Sequence, residues 1–565
     1  MLPLVSKRYY CICILLGCGF CVLATRIVYL CTYRKDFVEF AETSRNRVAI
    51  LPAQRGAIID CNGTCLATQQ KVYEVGVDLT QIQDKDRSLL PQLASILNLP
   101  LAQLDALWFS PSIRQWKKLK SEVLEANYRK LMGLKIRGVY GNEKKKRLYL
   151  HAKSLSHIIG FINQENAPIG GIEQLMQFYL RGQEGFKAYE VNGKNVEFTQ
   201  YRKNVIAPKN GYTVELTIDN RIQAFVEDVL EKAAKRYRPE SMQVLITRPH
   251  TGEVLAWVNY PYFDSNHYSQ YDLEVLKNRI ITDVYEPGSV FKAITVSAAL
   301  DAGAVTLEDS FNCGLSKAPY KGKDLPLPND WKPFQESMTV PQILTNSSNR
   351  GIVQIAFRLG GDQLYRYCKL FGFGASTHSG FAGETRGILK EPNQWDGLTI
   401  TRLPIGHGMA CSLIQMHYAM GVIANGGVLF YPQYIQRVYD ASGEIIRSFE
   451  PKVRRQVIKP QTAEMMRKIL LVSETSKAFI PHYNVTGKTG TTQKIINGHY
   501  SHSQHIASFS GFFPNRNPQV QISIVVDSPH TKGIGYGAVV AAPIFKEIAE
   551  TIITYLEIPP EPKLL

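Results

Sequence analysis

Hydrophobic and polar positions divide the chain into stretches of different period. Tyr9 to Thr25 carries no charge, Arg26 interrupts, and Ile27-Val28-Tyr29-Leu30-Cys31 resumes the apolar run. This length predicts one membrane-spanning helix from Tyr9 to about Tyr33, with Arg26 close enough to an end to snorkel to the interface. From Asp36 to about Ala207 the pattern mixes helix and strand. Val48-Ala49-Ile50-Leu51, Ala57-Ile58-Ile59 and Val72 to Val77 are strand-like, with a turn at Asp60-Cys61-Asn62-Gly63. Leu89 to Leu134 reads as several amphipathic helices with lysines outward. A boundary falls near Pro208-Lys209-Asn210-Gly211.

A second large unit follows, to about Ile558. Thr213 to Ile218 alternates as a strand should, and Asn220 is placed to cap a helix from about Arg221 to Tyr237. Met242–Thr247 and Glu253–Asn259 read as strands joined by the hairpin signal Pro249-His250-Thr251-Gly252. Ala293 to Leu300 carries no charge, the mark of a helix buried all round. A mostly helical stretch continues to about Asn425. Strands return after Val485, clearest at Ile506–Phe513 and Val520–Val526, and a last helix spans about Ala541 to Leu556. This order suits an antiparallel sheet between helical layers, with the two ends of the unit meeting in the sheet.

Length and charge narrow the class. A chain of 565 residues is too long for one core. Its 65 basic and 49 acidic residues give +16, which favours anionic surroundings, yet no nucleic-acid module is visible. The basic clusters Lys117-Lys118-Leu119-Lys120 and Lys144-Lys145-Lys146-Arg147 read as solvated faces or as a lipid- or partner-binding patch. Lys7 and Arg8 before the apolar run suggest a short cytoplasmic tail and an exported body, although Arg34 and Lys35 on the far side weaken the asymmetry. A retained anchor competes with a cleaved signal peptide, which lacks a clear cleavage site. It also competes with the lipoprotein-like Leu15-Leu16-Gly17-Cys18, after which the chain stays apolar. Five of ten cysteines lie in or beside the apolar run. Cys61 and Cys65 flank a turn and stand either as free thiols or as a pair, while Cys313, Cys368 and Cys411 suggest no metal site.

The chemistry concentrates at Tyr285-Glu286-Pro287-Gly288-Ser289-Val290-Phe291-Lys292. Pro287 and Gly288 suit a turn into a helix, and on a helix Ser289 and Lys292 leave one face, near its positive end. A lysine can take the proton of a serine hydroxyl only when neutral, and burial or a second cation pushes it that way. Among the serines, Ser289 alone has Lys three residues on. Ser-x-Asn occurs at Ser44 and Ser347, and Lys-Thr-Gly once, at Lys488-Thr489-Gly490. Ser-x-x-Lys, Ser-x-Asn and Lys-Thr-Gly in this order form the three-part signature of penicillin-recognising serine acyl transferases. His499, His502 and His505 recur every three residues, but Gly498 to His502 reads as a turn or loop, where histidines at helical spacing would not converge on a metal.

Over nearly its whole length the sequence resembles a class B penicillin-binding protein, the membrane-anchored peptidoglycan transpeptidase. Arg55-Gly56-Ala57-Ile58-Ile59-Asp60 with Asn62-Gly63 resembles the start of that family's non-catalytic pedestal. Gly170-Gly171-Ile172-Glu173 through Leu180-Arg181-Gly182-Gln183-Glu184-Gly185 resembles its second signature. Phe371-Gly372-Phe373-Gly374 with Gly383-Glu384 resembles a stretch between the catalytic motifs, and Arg26 resembles the anchors of the division-type subclass. Val290 where Thr is usual and Cys61 where Arg is common are departures that remove no catalytic group. No glycosyltransferase motif precedes the pedestal, and no repeated C-terminal modules are expected.

The resemblance implies an α+β multidomain chain: tail 1–8, transmembrane anchor 9–33, elongated dimerisation-type pedestal 34–207, transpeptidase domain 208–558 of serine β-lactamase-like fold, and tail 559–565. It implies Ser289 as nucleophile on the stem peptide's terminal D-Ala-D-Ala bond and Lys292 as base. Ser347 would relay a proton to the leaving amine, and Asn349 would hold Lys292 and the substrate backbone. Lys488, Thr489 and Thr491 would bind the terminal carboxylate, Gly490 would allow close approach, and the N–H groups of Ser289 and Thr491 would form the oxyanion hole. No cofactor or metal is needed. The implied partners are peptidoglycan stem peptides on lipid-linked precursor or nascent strands, β-lactams, a membrane-embedded glycan polymerase and other division proteins, in the bacterial cytoplasmic membrane at the septum. An elongation-type transpeptidase, a carboxypeptidase, a β-lactamase or β-lactam sensor, and an inactive scaffold are the alternatives.

Overall fold

The computed structural model describes residues 3–33, 39–40, 43, 45–108, 116–192, 197–334, 336–531, 533 and 535–562. Arg34, Lys35, Ser44 and the last three residues of the tail lie outside them. The apolar run forms helix α1, Pro3–Tyr33. Its span Lys7–Thr32 is long and apolar enough to cross a membrane. At 1.5 Å per residue it is about 39 Å long against a hydrocarbon core of about 30 Å. Arg26 lies over the Tyr29 ring at 5.5 Å, towards the end of the span.

Strands β1 (Asn46–Leu51), β2 (Ile58–Ile59) and β3 (Cys65–Asp78) follow, with the expected turn at Asp60 closed by the side chain of Asp60, whose Oδ1 accepts from the N–H of Asn62 and of Thr64. Leu89–Leu134 is not all helix. A 3-10 turn (Asp84–Leu89), α2 (Leu90–Leu97) and α3 (Leu101–Trp108) are followed by strand β4 (Trp116–Leu124) and then α4 (Glu125–Gly133). The lysines of the first basic cluster ride on β4, where pairing with β3 overrides local propensity. The second cluster rides on β5 (Val139–Tyr149), along the other edge of β3. Glu74 of β3 sits between them, 2.8 Å from Lys144 and 3.9 Å from Lys118, so the clusters face partners of opposite charge.

Next come β6 (Gly185–Val191), β7 (Glu197–Ile206), β8 (Thr213–Leu216) and α5 (Asn220–Tyr237). The α5 cap is Asp219, not Asn220: its carboxylate accepts from the N–H of Arg221 and Ile222. Strands β9 (Ser241–Thr247) and β10 (Val254–Tyr260) form the expected hairpin. The helical stretch holds α6 (Lys292–Asp301), α7 (Asn349–Leu359) and α8 (Leu413–Ala424), interrupted by small strand pairs between Ser310 and Thr339. Strands return before Val485: Val428–Phe430 pairs with Val453–Gln456, and β11 (Ile435–Tyr439) with β12 (Ile445–Ser448). The chain closes with β13 (Thr486–Ile496), β14 (His499–Phe513), β15 (Val520–Asp527) and α9 (Ala541–Tyr555). His499, His502 and His505 lie along β14 rather than in a loop. Among the described residues no three His, Cys, Asp or Glu side chains gather as a metal site requires. Cys61 and Cys65 are free thiols.

Contacts divide the chain into two compact units. One, residues 1–55 and 181–211, holds α1 and the antiparallel sheet β1-β6-β7. The other, residues 56–180 and 212–565, holds two larger sheets. Its seven-stranded sheet runs β12-β11-β8-β2-β3-β4, with β5 also on β3, so β8 joins this sheet and not the one that holds β9 and β10. Its five-stranded antiparallel sheet runs β10-β9-β15-β14-β13, so early and late strands of the unit meet as expected. Both faces of that sheet are covered. Met242, Val244, Ile246, Phe509 and Ile524 pack with α5 and α9, while Leu245, Trp257, Phe512 and Val525 pack with α6 and α8. Fully burying each such side chain contributes about 1.5–3 kcal/mol. Phe509 and Phe545 of α9 are 4.5 Å apart.

Candidate active site

The segment before α6 is not one continuous helix. Gly288–Val290 makes a 3-10 turn and α6 begins at Lys292. In 3-10 geometry residues i and i+3 eclipse, so Ser289 and Lys292 still share a side. Gly288 has φ +54°, and a Cβ there would stand 2.5 Å from Thr492 Cγ2, so both conformation and space require glycine. Every residue of α6 from Lys292 to Leu300 is buried.

Lys292 is fully buried. Its Nζ lies 2.6 Å from Ser347 O, 2.6 Å from Asn349 Oδ1 and 3.2 Å from Ser347 Oγ. Ser347 presents its carbonyl by adopting φ +57°, a left-handed conformation that costs a non-glycine residue about 1–2 kcal/mol. Of the Ser-x-Asn spacings, this one reaches Lys292. A further instance, Ser310-Phe311-Asn312, lies on a short strand paired with Ser337–Thr339.

Burial, then the charge of Lys488, push the Lys292 amine well below its ordinary value, and Asp330 works the other way. Burial pushes Lys488 down to about 8. The expected second cation is therefore present, but desolvation is the larger cause. Lys488 opens the Lys-Thr-Gly motif on β13, the edge strand of the five-stranded sheet. Alternation along β13 places Gly490 and Thr492 against the segment that carries Ser289. A Cβ on Gly490 would lie 2.8 Å from Pro287 O and 2.9 Å from Val290 Cγ2, and Thr492 Oγ1 donates to Glu286 O at 3.1 Å. Thr491 Oγ1 accepts from Gly537 N at 2.8 Å.

Two groups escaped the sequence reading. Asp330 binds the Ser-x-Asn loop: Ser348 Oγ donates to Oδ2 at 2.9 Å, and the N–H groups of Asn349 and Arg350 donate to Oδ1. Asn349 Nδ2 donates to Asn329 O at 2.6 Å. Asp330 thus fixes the N-terminus of α7 and aims Asn349 at Lys292, from a loop with no spacing that ties it to the motif. His407 stands between Gly406, whose carbonyl accepts from Gly288 N at 3.1 Å, and Gly408. Burial and the charges of Lys292 and Arg402 push its imidazole down to about 4, so it is neutral at pH 7.

The arrangement joins a buried lysine, three residues along the chain from Ser289 and with its pKa driven down, to a serine and an asparagine, with the lysine-bearing edge strand packed against the same segment. The family profile described as the penicillin binding protein transpeptidase domain matches residues 242–550, more than half of the chain and all of these groups. The chain belongs to the penicillin-binding protein transpeptidases. A second profile, the penicillin-binding protein dimerisation domain, matches residues 50–216 of this penicillin-binding protein. It is 30% identical over 551 residues to stage V sporulation protein D of Bacillus subtilis, covering 96% of this chain and 84% of that protein. It is likewise 30% identical over 556 residues to the probable peptidoglycan D,D-transpeptidase PenA of Neisseria meningitidis, covering 96% and 91%. Its fold matches that of penicillin binding protein 3 from Mycobacterium tuberculosis, solved in complex with aztreonam. The TM-score is 0.69 at 23% identity, over 92% of this chain and 99% of that one. The two-domain α+β architecture of the class B proteins, with its N-terminal apolar helix, is therefore the architecture of this chain.

Proposed function

We propose that this peptidoglycan D,D-transpeptidase cross-links stem peptides through an acyl-enzyme on Ser289. The observation that carries the proposal is the buried Lys292 amine, held by Ser347 and Asn349 and driven toward neutrality three residues from a serine. Ser289 Oγ attacks the carbonyl between the two terminal D-alanines, and its proton passes to Lys292 Nζ. The N–H groups of Ser289 and Thr491 hold the developing oxyanion, a donor of this kind being worth about 3–4 kcal/mol. Ser347 passes a proton to the leaving amine, D-alanine departs, and the ester is attacked by an amine of a neighbouring stem. That step forms the cross-link and frees Ser289. Lys488, Thr489 and Thr491 bind the terminal carboxylate, and β-lactams enter by the same acylation.

Residues 34–207 serve as the pedestal, residues 208–558 as the catalytic unit, and α1 as a single-pass anchor in the bacterial cytoplasmic membrane, with the catalytic unit outside the cytoplasm. The pedestal and the anchor with its late Arg26 support a septal role beside a membrane-embedded glycan polymerase over an elongation role. Labelling with a fluorescent penicillin tests the site: wild type gives a covalent band on a denaturing gel, and Ser289→Ala gives none. A band that survives the substitution refutes the assignment. A fluorescent fusion that spreads along the lateral wall instead of gathering at the division plane refutes the septal role.

A further inference from the structure

The nucleophile segment is clamped to the loop Gly406–Cys411 at three points. Tyr285 and Cys411 exchange two backbone hydrogen bonds of 3.0 Å, Gly408 N donates to Glu286 Oε1 at 2.8 Å, and Gly288 N donates to Gly406 O at 3.1 Å. The carboxylate at the middle of this clamp, Glu286, is almost fully buried. It also receives a group from a third element. Tyr500, at the start of β14 where β13 turns back, places its hydroxyl 3.1 Å from both Oε1 and Oε2. The turn itself is built from Asn497 and Gly498, both at positive φ. One buried carboxylate therefore joins the segment carrying Ser289, the loop beneath it, and the far end of the hairpin that carries Lys488 to Thr491.

We propose that Glu286 and Tyr500 are positioning residues for acylation, a latch that sets the gap between Ser289 and the substrate-binding edge of β13. The proposal rests on the Ser289 acyl-enzyme reading. Nearer the motif, β13 is held against the nucleophile segment by direct packing at Gly490 and by Thr492. At the tip, Tyr500 is the tie to Glu286, and the residue is still 42% exposed. The hydroxyl therefore contributes little to the core, so its removal reports on alignment and not on folding. Burial raises the pKa of Glu286, and the hydrogen bonds from Gly408 N and Tyr500, then the charge of Arg402, work the other way. Tyr500, its own proton held by burial and by the neighbouring Glu286 carboxyl, acts as donor. A hydrogen bond to a charged acceptor is about twice as strong as one between neutral groups.

The test is the kinetics of acylation by a chromogenic cephalosporin, resolved into the initial binding constant and the acylation rate constant, on the full-length protein. Tyr500→Phe is expected to lower the acylation rate constant about tenfold. The binding constant, the fraction of protein finally labelled and Tm should stay unchanged. Glu286→Gln keeps one acceptor oxygen, which Gly408 N–H and the Tyr500 hydroxyl must share, and is expected to fall between wild type and Tyr500→Phe. A Tyr500→Phe protein that acylates at the wild-type rate overturns the latch while leaving Ser289 as the nucleophile. So does one whose slower labelling merely follows a smaller labelled fraction and a lower Tm. Failure of the wild type to label at all strikes the acyl-enzyme reading instead.

Discussion

Asp330 offers a sharp test because it acts on Lys292 in two opposite ways. Its carboxylate takes Ser348 Oγ at 2.9 Å, Asn349 N, and Arg350 N at 3.4 Å, and so caps α7. Hydrogen bonds to a charged acceptor contribute about 1.5–3 kcal/mol each, and water can replace part of this at a half-exposed site. Asp330→Asn, which keeps the shape and loses the charge, should destabilise by about 1–2 kcal/mol, the range of a lost cap. Loosening Asn349 weakens its 2.6 Å contact with Lys292 and should slow acylation at its alkaline plateau about tenfold, or about 1.4 kcal/mol. The electrostatic effect runs the other way. Asp330 favours the ammonium form of Lys292. Removing that negative charge lowers the Lys292 pKa, and because only the neutral amine accepts the Ser289 proton, the acid limb of the pH–rate profile should move to lower pH. The assay is the second-order acylation rate against pH for wild type and Asp330→Asn. An unchanged plateau, or an acid limb displaced to higher pH, refutes the reasoning.

Three further outcomes follow from geometry already given. His157 and His417 are both buried, and burial pushes their pKa values down to about 4 and about 3. The unfolded chain protonates them near pH 6.5 and the folded chain does not, so the unfolded state binds more protons and stability falls as pH drops from 6.5 toward 4. The slope is about 1.4 kcal/mol per pH unit per histidine, and a Tm that stays level between pH 6.5 and pH 5 contradicts it. Gly490→Ala should slow labelling by a penicillin at least about tenfold, because the methyl needs room held by Pro287 O and Val290, and labelling at the wild-type rate would contradict that packing. Arg147→Ala removes the guanidinium 2.7 Å from Glu173, in a pair whose side chains are almost wholly buried. The expected cost is about 3–5 kcal/mol in chemical denaturation, and a loss below 1 kcal/mol would show that the pair is not anchored as described.

The sequence carried the parts whose signal is local. An uncharged run announced α1, and one Ser-x-x-Lys before an apolar helix announced Ser289 and Lys292. What it concealed depends on distant partners. Trp116–Leu124 has lysines on both sides of the strand and reads as helix until β3 is laid beside it. Thr213–Leu216 alternates like any strand, and nothing in it names Ile58 as its neighbour. Ser310-Phe311-Asn312 has the same spacing as Ser347-Ser348-Asn349, and only the three-dimensional path to Lys292 separates them. Asp330 acts through the backbone of a loop some twenty residues further on, a relation that no spacing encodes. The choice of Asp219 over Asn220 as cap turned on one residue, and both types serve equally well in that role.

The seven-stranded sheet has a consequence for how the chain is made. Strand β2, at Ile58, pairs in parallel with β8, which in turn pairs with β11, and β12 completes that edge at Ser448. Roughly 390 residues separate the first of these strands from the last. The edge of β8, made by residue 216, is covered only when β11 begins at Ile435, roughly 220 residues later, on the order of 10–45 s at about 5–20 residues per second of synthesis. Throughout that interval β8 presents an open edge able to pair with any passing strand. The hazard is greatest for fragments cut just after residue 216, which keep the edge and never receive its cover. A fragment ending just after residue 216 is therefore expected to self-associate through β8, whereas the full-length chain retires that edge within the finished fold.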